Sequence, residues 1–186
     1  MKIAMLQLNF QVGDFEGNAN KILDGYKEAC RQGANLAVAS ELALFVYPPK
    51  DMLERVDYLE KHEECLQKLC SHICEVGLIL GIPTKNIITN GRPLHNSAVL
   101  IEHGYITHSW KKALLPNDDV FDERRYFEPG HEPVRVFEYK GERLALLLCE
   151  DIWGGTENTF GNRLYARNPI RELTYHRPRM IIVPNG

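Results

Sequence analysis

The chain has 186 residues, of which 44% are hydrophobic and 25% are charged, as is usual for one soluble globular domain. This composition excludes a disordered or fibrous protein, and a formal net charge of -3 without blocks of like charge argues against a nucleic-acid partner. The N-terminal apolar run is too short for a signal peptide or a membrane span, and five cysteines without regular spacing favour reduced thiols, so we expect a cytoplasmic protein with no membrane contact.

The first part of the chain, up to residue 40, has the pattern of a β-α-β unit. Residues 3–9 and residues 36–39 are short apolar runs that predict strands. Between them, apolar residues recur at helical spacing, with Asn18 as the expected N-cap and Gly33 as the end of the helix. Such a unit usually places its two strands parallel and covers them with the helix.

A loop and a second helix follow this unit. Pro48 and Pro49 can continue neither a strand ladder nor a helix interior, so Glu41 is expected where a strand gives way to a loop. A longer helix is predicted as far as Val76, with Gly77 as its stop signal.

From residue 78 onward the pattern changes to short strands with turn signals. The sequences EHGY and YKGE predict hairpin turns, and residues 170–175 are expected to be partly helical. The strands predicted in this part of the chain are residues 78–82, 96–101, 106–110, 134–139, 143–148 and 180–183. Antiparallel hairpins beside a parallel unit therefore predict an α/β fold.

Three polar residues stand at the ends of predicted strands or in the loops that follow. They are Glu41 after LAVAS, Lys112 after ITHSW and Lys111, and Cys149 after LALLL. Side chains at strand ends of open α/β sheets converge on ligands, so a carboxylate, an amine and a thiol here are candidates for one site. Each residue alone also fits a simpler interpretation, namely a loop-capping Glu, a solvated Lys and a small buried Cys.

The chemistry of the thiol makes the combination coherent. Glu150 and Asp151 follow Cys149 directly, and anions beside a thiol raise its pKa and disfavour the attacking thiolate. A nucleophilic Cys149 therefore needs a base, for which Glu41 is the candidate, and a cation, for which Lys112 is the candidate. Lys112 and the backbone N–H of Glu150 are also expected to stabilise an oxyanion.

At these residues the chain resembles a known family. The segments SELALFVYPPKDML, KKALLPNDDVFDERRYFEPG and LLLCEDIW are similar, in this order, to the Glu, Lys and Cys segments of the nitrilase superfamily. The patterns YPPxDxL, LPNxxVFDExRYFxPG and CEDIW resemble the branch formed by the glutaminase domains of glutamine-dependent NAD synthetases. The resemblance extends over essentially all of the chain.

The resemblance implies a fold and a chemistry. The implied fold is the nitrilase-type α-β-β-α sandwich of four layers. The implied roles are general base for Glu41, catalytic lysine for Lys112, nucleophile for Cys149, support of the lysine for Glu123, and binding of the substrate α-amino group for Glu150. The implied reaction is hydrolysis of the glutamine side-chain amide through a thioester, with the ammonia passing to a synthetase domain that converts adenylated deamido-NAD to NAD.

Two departures from the family pattern stand out. Asp118 replaces the tyrosine that the branch has near its substrate, which adds negative charge to the expected substrate-binding region. The sequence also ends at IIVPNG, and no SGGxDS pyrophosphate-binding loop is present, so we expect residues 1–186 to be a single, incomplete glutaminase domain lacking its C-terminal part and without a synthetase domain. This domain is expected to need no cofactor or metal, whereas ATP, magnesium and deamido-NAD would belong to the synthetase domain.

Three further expectations remain open. The partners implied are glutamine, an NAD synthetase domain or subunit, and further copies of the chain in a homo-oligomer. Because of Asp118, one alternative function is that of another amidase or carbamoylase of the superfamily that acts on a small amide. Because the domain is shortened, a second alternative is a catalytically silent assembly module. The segment HEECLQKLCSHIC, from His62 to Cys74, is rich in His and Cys. Its helical pattern and the lack of a C-x-x-C motif argue against a zinc site.

Overall fold

The structure, a computed structural model, describes residues 1–88, 90–158 and 160–186. Its strands are β1 Ile3–Met5, β2 Leu36–Val38, β3 Gly77–Lys85, β4 Leu94–Glu102, β5 Tyr105–Lys111, β6 Val136–Tyr139, β7 Glu142–Leu146 and β8 Met180–Ile182. Its α-helices are α1 Phe15–Arg31, α2 Val56–Cys70, α3 Glu123–Tyr126 and α4 Pro169–Leu173, and two 3-10 helices span Lys50–Glu54 and Cys149–Trp153.

The first sheet has the order β1-β2-β3-β4-β5. Helix α1 returns the chain from β1 to β2, which makes these strands parallel, and β3 is parallel to β2. The antiparallel pair β4 and β5 is joined at the predicted EHGY turn, where His103 and Gly104 both have positive φ. Two such residues give the turn a twist that matches the twist of the strands, so the predicted hairpin is confirmed.

Helix α1 begins earlier than the sequence predicts. Its N-cap is Asp14, whose side chain accepts the N–H of Gly17, and the prediction of Asn18 as the cap is wrong. Asn18 is buried inside the helix, where its amide donates to the carbonyls of Gln11 and Leu44 at 2.8 and 3.2 Å. Both residue types are good caps, and a tertiary contact decides between them.

Helix α2 ends at Cys70, six residues before the predicted Val76. The carbonyls of Ile73 and Cys74 accept the N–H groups of Gly104 and His103 in the β4–β5 turn, at 2.9 and 3.1 Å. Because these carbonyls bind the hairpin, the chain leaves the helix and turns into β3 at Gly77.

The second sheet has the order β6-β7-β8, with β6 and β7 antiparallel and β7 and β8 parallel. The predicted YKGE turn joins β6 to β7, with positive φ at Lys140 and Gly141. A buried apolar cluster shared by both sheets lies between them, and includes Ile79 and Leu100 from the first sheet and Leu144 and Leu146 from the second.

Helices cover the outer faces of the two sheets. Helices α1 and α2 pack on the first sheet around residues such as Ile22 and Leu66, and Leu173 of α4 packs on Ala145 and Leu147 of the second. The predicted α-β-β-α sandwich is therefore confirmed. Within the described ranges no helix has the length and apolar composition needed to cross a membrane.

Candidate active site

The structure brings the four predicted catalytic and supporting residues to one end of the sheets. Glu41 lies in the turn after β2, Lys112 follows β5, Glu123 opens α3, and Cys149 opens the 3-10 helix Cys149–Trp153. Glu41, Lys112 and Glu123 are almost completely buried, whereas Cys149 is partly exposed. Side chains from four separate segments therefore form one cluster with the thiol on its accessible side.

Lys112 bridges two buried carboxylates. Its Nζ donates to Glu41 Oε1 at 2.7 Å and to Glu123 Oε1 at 2.6 Å, and its side chain is 0% exposed. Burial lowers the pKa of Lys112, but the charges of Glu41 and Glu123 outweigh burial, so its pKa is raised above the usual value. The lysine is therefore a permanent ammonium in the site.

Two residues that the sequence analysis missed complete this network. Asn96 of β4 donates to Glu41 Oε1 at 2.7 Å and to Glu123 Oε2 at 3.2 Å. Tyr47 donates to Glu123 Oε1 at 2.7 Å. A signal for Asn96 was present, because it is a polar residue within a strand buried along almost its whole length. Burial raises the pKa of Glu123, and Lys112 opposes that rise.

Glu41 keeps one carboxylate oxygen unpaired. Oε1 is shared by Lys112 and Asn96, while Oε2 is buried and has no hydrogen-bond partner among the described residues. Buried polar atoms are nearly always paired in folded proteins. An unpaired carboxylate oxygen at this position is available to accept a proton.

The thiol of Cys149 is held protonated at neutral pH. Burial and the negative charge of Glu41 raise its pKa to about 12, and Lys112 opposes them. The sequence predicts such a rise from Glu150 and Asp151, whereas its main causes in the structure are burial and Glu41. A nucleophilic role for this thiol would therefore require a base that takes its proton.

Backbone geometry presents the thiol at the end of its strand. Cys149 has a φ of +37°, which is strained for a residue with a side chain, and its N–H donates to the Pro184 carbonyl at 3.0 Å. The N–H of Glu41 donates to the adjacent Asn185 carbonyl at 3.1 Å. The same short segment thus holds the backbones of the candidate base and the candidate nucleophile.

Gly81 allows Glu41 its position. A Cβ added to Gly81 of β3 would lie 2.5 Å from Glu41 Cα and 2.6 Å from the Leu42 nitrogen. These are backbone atoms that no side-chain rotation can move. Only glycine lets the turn after β2 lie this close to the sheet.

The two predicted substrate-binding residues, Glu150 and Asp118, are partly exposed and exposed, respectively. Tyr165, also missed in the sequence, donates to Glu150 Oε1 at 2.7 Å. Burial and Glu150 raise the pKa of Tyr165, and the charges of Arg124 and the exposed Asp118 act on it with opposite signs. Glu150 is therefore paired with Tyr165, and the negative charge of Asp118 contributes to the rise in the Tyr165 pKa.

The His- and Cys-rich segment belongs to the core and the surface of α2. His62, Cys65 and Cys70 are buried on this helix, while Cys74 is exposed beyond its end. No cluster of His, Cys, Asp or Glu with a metal-binding arrangement occurs in residues 1–88, 90–158 and 160–186.

A four-layer sandwich with a carboxylate, a lysine and a thiol at its strand ends is shared by a class of hydrolases of carbon-nitrogen bonds. The chain belongs to the carbon-nitrogen hydrolase family, whose profile matches residues 2–158. It is 35% identical over 157 residues to the glutamine-dependent NAD(+) synthetase of Thermotoga maritima and 38% identical over 175 residues to that of Synechocystis. These alignments cover 84% and 92% of this chain but 27% and 31% of the relatives, so the chain spans about a third of their length.

Solved structures agree with this assignment. Glutamine-dependent NAD+ synthetase from Acinetobacter baumannii, in complex with ADP, matches 99% of this chain with a TM-score of 0.84 and 28% identity, over 32% of its own length. An amidase from Nesterenkonia sp. matches 100% of this chain with a TM-score of 0.79, at 24% identity and over 64% of its own length. The second similarity concerns the fold alone.

Proposed function

We propose that the chain hydrolyses the side-chain amide of glutamine to glutamate and ammonia through a Cys149 thioester. The observation that carries the proposal is the buried, unpaired Oε2 of Glu41, a carboxylate whose charge raises the pKa of the Cys149 thiol. A base that is desolvated and unoccupied beside a protonated nucleophile is what general-base activation requires.

In the first step Glu41 takes the thiol proton while Cys149 Sγ forms a bond to the amide carbon. The C=O electron pair moves to oxygen, and the Lys112 ammonium and the Glu150 N–H stabilise the resulting oxyanion. The Glu150 N–H lies in the first turn of its helix, where backbone donors have no acceptor within the helix. The tetrahedral carbon then expels ammonia, which receives its proton from Glu41.

In the second step water hydrolyses the thioester. Glu41, again a carboxylate, takes a proton from a water molecule while the oxygen of that water attacks the thioester carbon. The Cys149 thiolate then leaves with the electron pair of the C–S bond. Protonation of Cys149 by Glu41 returns the starting state. Lys112 keeps its proton throughout, because two carboxylates raise its pKa.

The proposed destination of the ammonia is an NAD synthetase domain or subunit. The relatives at 35% and 38% identity carry the name of that activity, and this chain matches 27% and 31% of their length. In this proposal ATP, magnesium and deamido-NAD bind to the synthetase part, and the chain described here uses its own side chains and the Glu150 N–H.

The test is ammonia release from glutamine by the purified protein, compared with Cys149→Ser and with the exposed-thiol control Cys74→Ser. We expect steady turnover in the wild type and in Cys74→Ser, and a loss of about 10²-fold or more in Cys149→Ser, because a hydroxyl is much the weaker nucleophile. Wild-type protein that releases no ammonia from glutamine would exclude the proposed substrate.

A second candidate is an amidase or carbamoylase for a small amide without a carboxylate. Asp118 favours it, because a negative side chain whose charge acts on Tyr165, the hydrogen-bond partner of Glu150, would also repel the α-carboxylate of glutamine. A panel of amides with and without an α-carboxylate separates the two substrates, and Asp118→Tyr is expected to improve glutamine relative to the others.

A further inference from the structure

Asp151 is a buried carboxylate with an unusual set of partners. It is 3% exposed, and its oxygens accept three backbone N–H groups, those of Ala113 and Leu114 at 2.9 Å on Oδ1 and that of Leu148 at 3.0 Å on Oδ2. In the described part of the chain no cation lies within ion-pair distance of it. Burial raises its pKa, and the three backbone donors act in the opposite direction.

These partners belong to the two segments that carry the reactive groups. Ala113 and Leu114 directly follow Lys112, and Leu148 directly precedes Cys149. The N–H of Asp151 also donates to the Leu148 carbonyl at 2.8 Å, which closes the strained turn at Cys149. One side chain therefore fixes the Cys149 turn to the Lys112 segment.

The chemistry of this position requires a carboxylate. Both oxygens accept from donors that point at them, so an asparagine would direct its own N–H₂ group at a backbone N–H on one side. Such a substitution leaves one buried donor without an acceptor and loosens one of the two connections.

We propose that Asp151 is a positioning residue that sets the distance between the Cys149 thiol and the Lys112 ammonium. This inference rests on the proposed amide-hydrolase function, but it concerns geometry and holds for any amide substrate. Asp151 does not touch the reacting atoms; it acts through the backbone on either side of them.

The test measures alkylation of Cys149 by iodoacetamide with mass spectrometry, with the exposed Cys74 of the same molecule as the reference. The variants are Asp151→Asn and, as a matched control, Asp14→Asn, which alters a carboxylate that, among the described residues, accepts only the Gly17 N–H at 2.9 Å, at the start of α1. We expect the ratio of Cys149 to Cys74 alkylation at neutral pH to fall about 10- to 100-fold in Asp151→Asn, because displacement by about an ångström has effects of this size.

The direction of the change separates positioning from loss of structure. At neutral pH the Lys112 ammonium opposes the rise in the Cys149 pKa, so a larger distance between the two groups slows alkylation, whereas local unfolding exposes Cys149 and speeds it up. A ratio within about 2-fold of wild type, or one that rises, overturns the proposal, since a displacement of this kind is expected to cost far more.

This readout is independent of the proposed substrate. Wild type with a reactive Cys149 but no ammonia from glutamine excludes the glutamine proposal and leaves the alkylation ratio as the test of Asp151. Where glutamine is hydrolysed, Asp151→Asn is expected to lower kcat and leave KM unchanged. If Asp151→Asn does not fold, Asp151→Glu replaces it, because this variant keeps both acceptor oxygens but displaces them by one methylene group. A fall in its alkylation ratio supports the proposal, and an unchanged or raised ratio overturns it.

Discussion

Glu41 has two effects on Cys149 that work in opposite directions. Its charge raises the pKa of the thiol, which disfavours the thiolate at rest, and in the proposed mechanism its unpaired oxygen removes the thiol proton during attack. Such a site would keep the proposed nucleophile neutral until an amide is bound. Removing the negative charge of Glu41 should change the thiol pKa and the rate of hydrolysis in ways that can be measured separately.

We therefore expect Glu41→Gln to lower the pKa of Cys149 and at the same time to abolish hydrolysis. The loss of a negative charge favours the thiolate, while the loss of the base lowers kcat by about 10²- to 10⁴-fold. Thiolate absorbance during a pH titration, corrected with a Cys149→Ala protein, measures the first effect, and ammonia release measures the second. Glu138→Gln, on the exposed face of β6, is the matched control and should change neither. A Glu41→Gln protein whose thiol pKa rises would contradict this account.

At the scale of elements, Gly81 in β3 determines how closely the Glu41 turn approaches the sheet. An alanine there meets backbone atoms at 2.5 and 2.6 Å, so we expect Gly81→Ala to destabilise the protein by about 1–3 kcal/mol and to lower hydrolysis by displacing Glu41. Thermal unfolding and ammonia release measure the two effects.

Gly25→Ala is the control for this substitution. Its added Cβ would lie 3.4 Å from a methyl group of Leu6, an ordinary contact, and Gly25 lies inside helix α1. Alanine should therefore stabilise the helix by about 0.5–1 kcal/mol with no change in activity. If Gly81→Ala and Gly25→Ala have the same stability and activity, the close approach of the Glu41 turn to Gly81 is not important.

His62 on α2 makes stability depend on pH. It is 3% exposed, its Nε2 has no partner in the described residues, and burial lowers its pKa from 6.5 to about 4. The folded protein therefore binds this proton less readily than the unfolded chain does, so stability is highest above about pH 6.5 and is lost as the pH falls toward about 4.

Between about pH 7 and pH 5 this linkage amounts to about 2 kcal/mol of unfolding free energy. We expect His62→Leu to remove most of that decline, whereas the exposed His131→Leu should retain it. Urea unfolding at several pH values gives the slopes. A decline that persists in His62→Leu would assign the dependence to other groups.

The sequence predicts the strands and turns of this fold well where the signals are local. Both hairpin turns follow from Gly-containing tetrapeptides, and the strands of both sheets follow from apolar runs. The end of α2 and the cap of α1 were misjudged because each is decided by a contact with a distant segment, the β4–β5 turn in one case and Leu44 in the other.

The same distinction applies to the site. The motifs predicted roles for Glu41, Lys112, Glu123 and Cys149. Tyr47 is part of the YPPxDxL motif but was given no role, and Asn96 is in none of the motifs. Asn96 binds residues 55 and 27 positions away along the chain, and Tyr47 binds one 76 positions away. No spacing rule connects such partners, since only the packed sheets bring them together.

At the scale of the whole molecule, each sheet ends on the same side in a short edge strand that carries an exposed apolar residue. Met5 of β1 is 82% exposed and Ile181 of β8 is 40% exposed, and Met1 and Met180 line one crevice between these edges. Apolar edge strands promote association with another chain.

We expect the chain to self-associate through this side. Sedimentation analysis should give a mass above that of the monomer, and the double variant Met5→Lys with Ile181→Lys should shift it toward the monomer. Val12→Lys, which changes an exposed residue outside the strands, is the control. A monomeric wild type would show that these edges do not associate.

The carbonyls of Pro184 and Asn185 accept the N–H groups of Cys149 and Glu41, and Asn185 lies at the surface. One short peptide thus fixes the separation between the backbones of the candidate nucleophile and the candidate base. We expect a small molecule bound against Asn185 to shift both groups at once and so to lower the proposed hydrolysis without contacting the side chain of either.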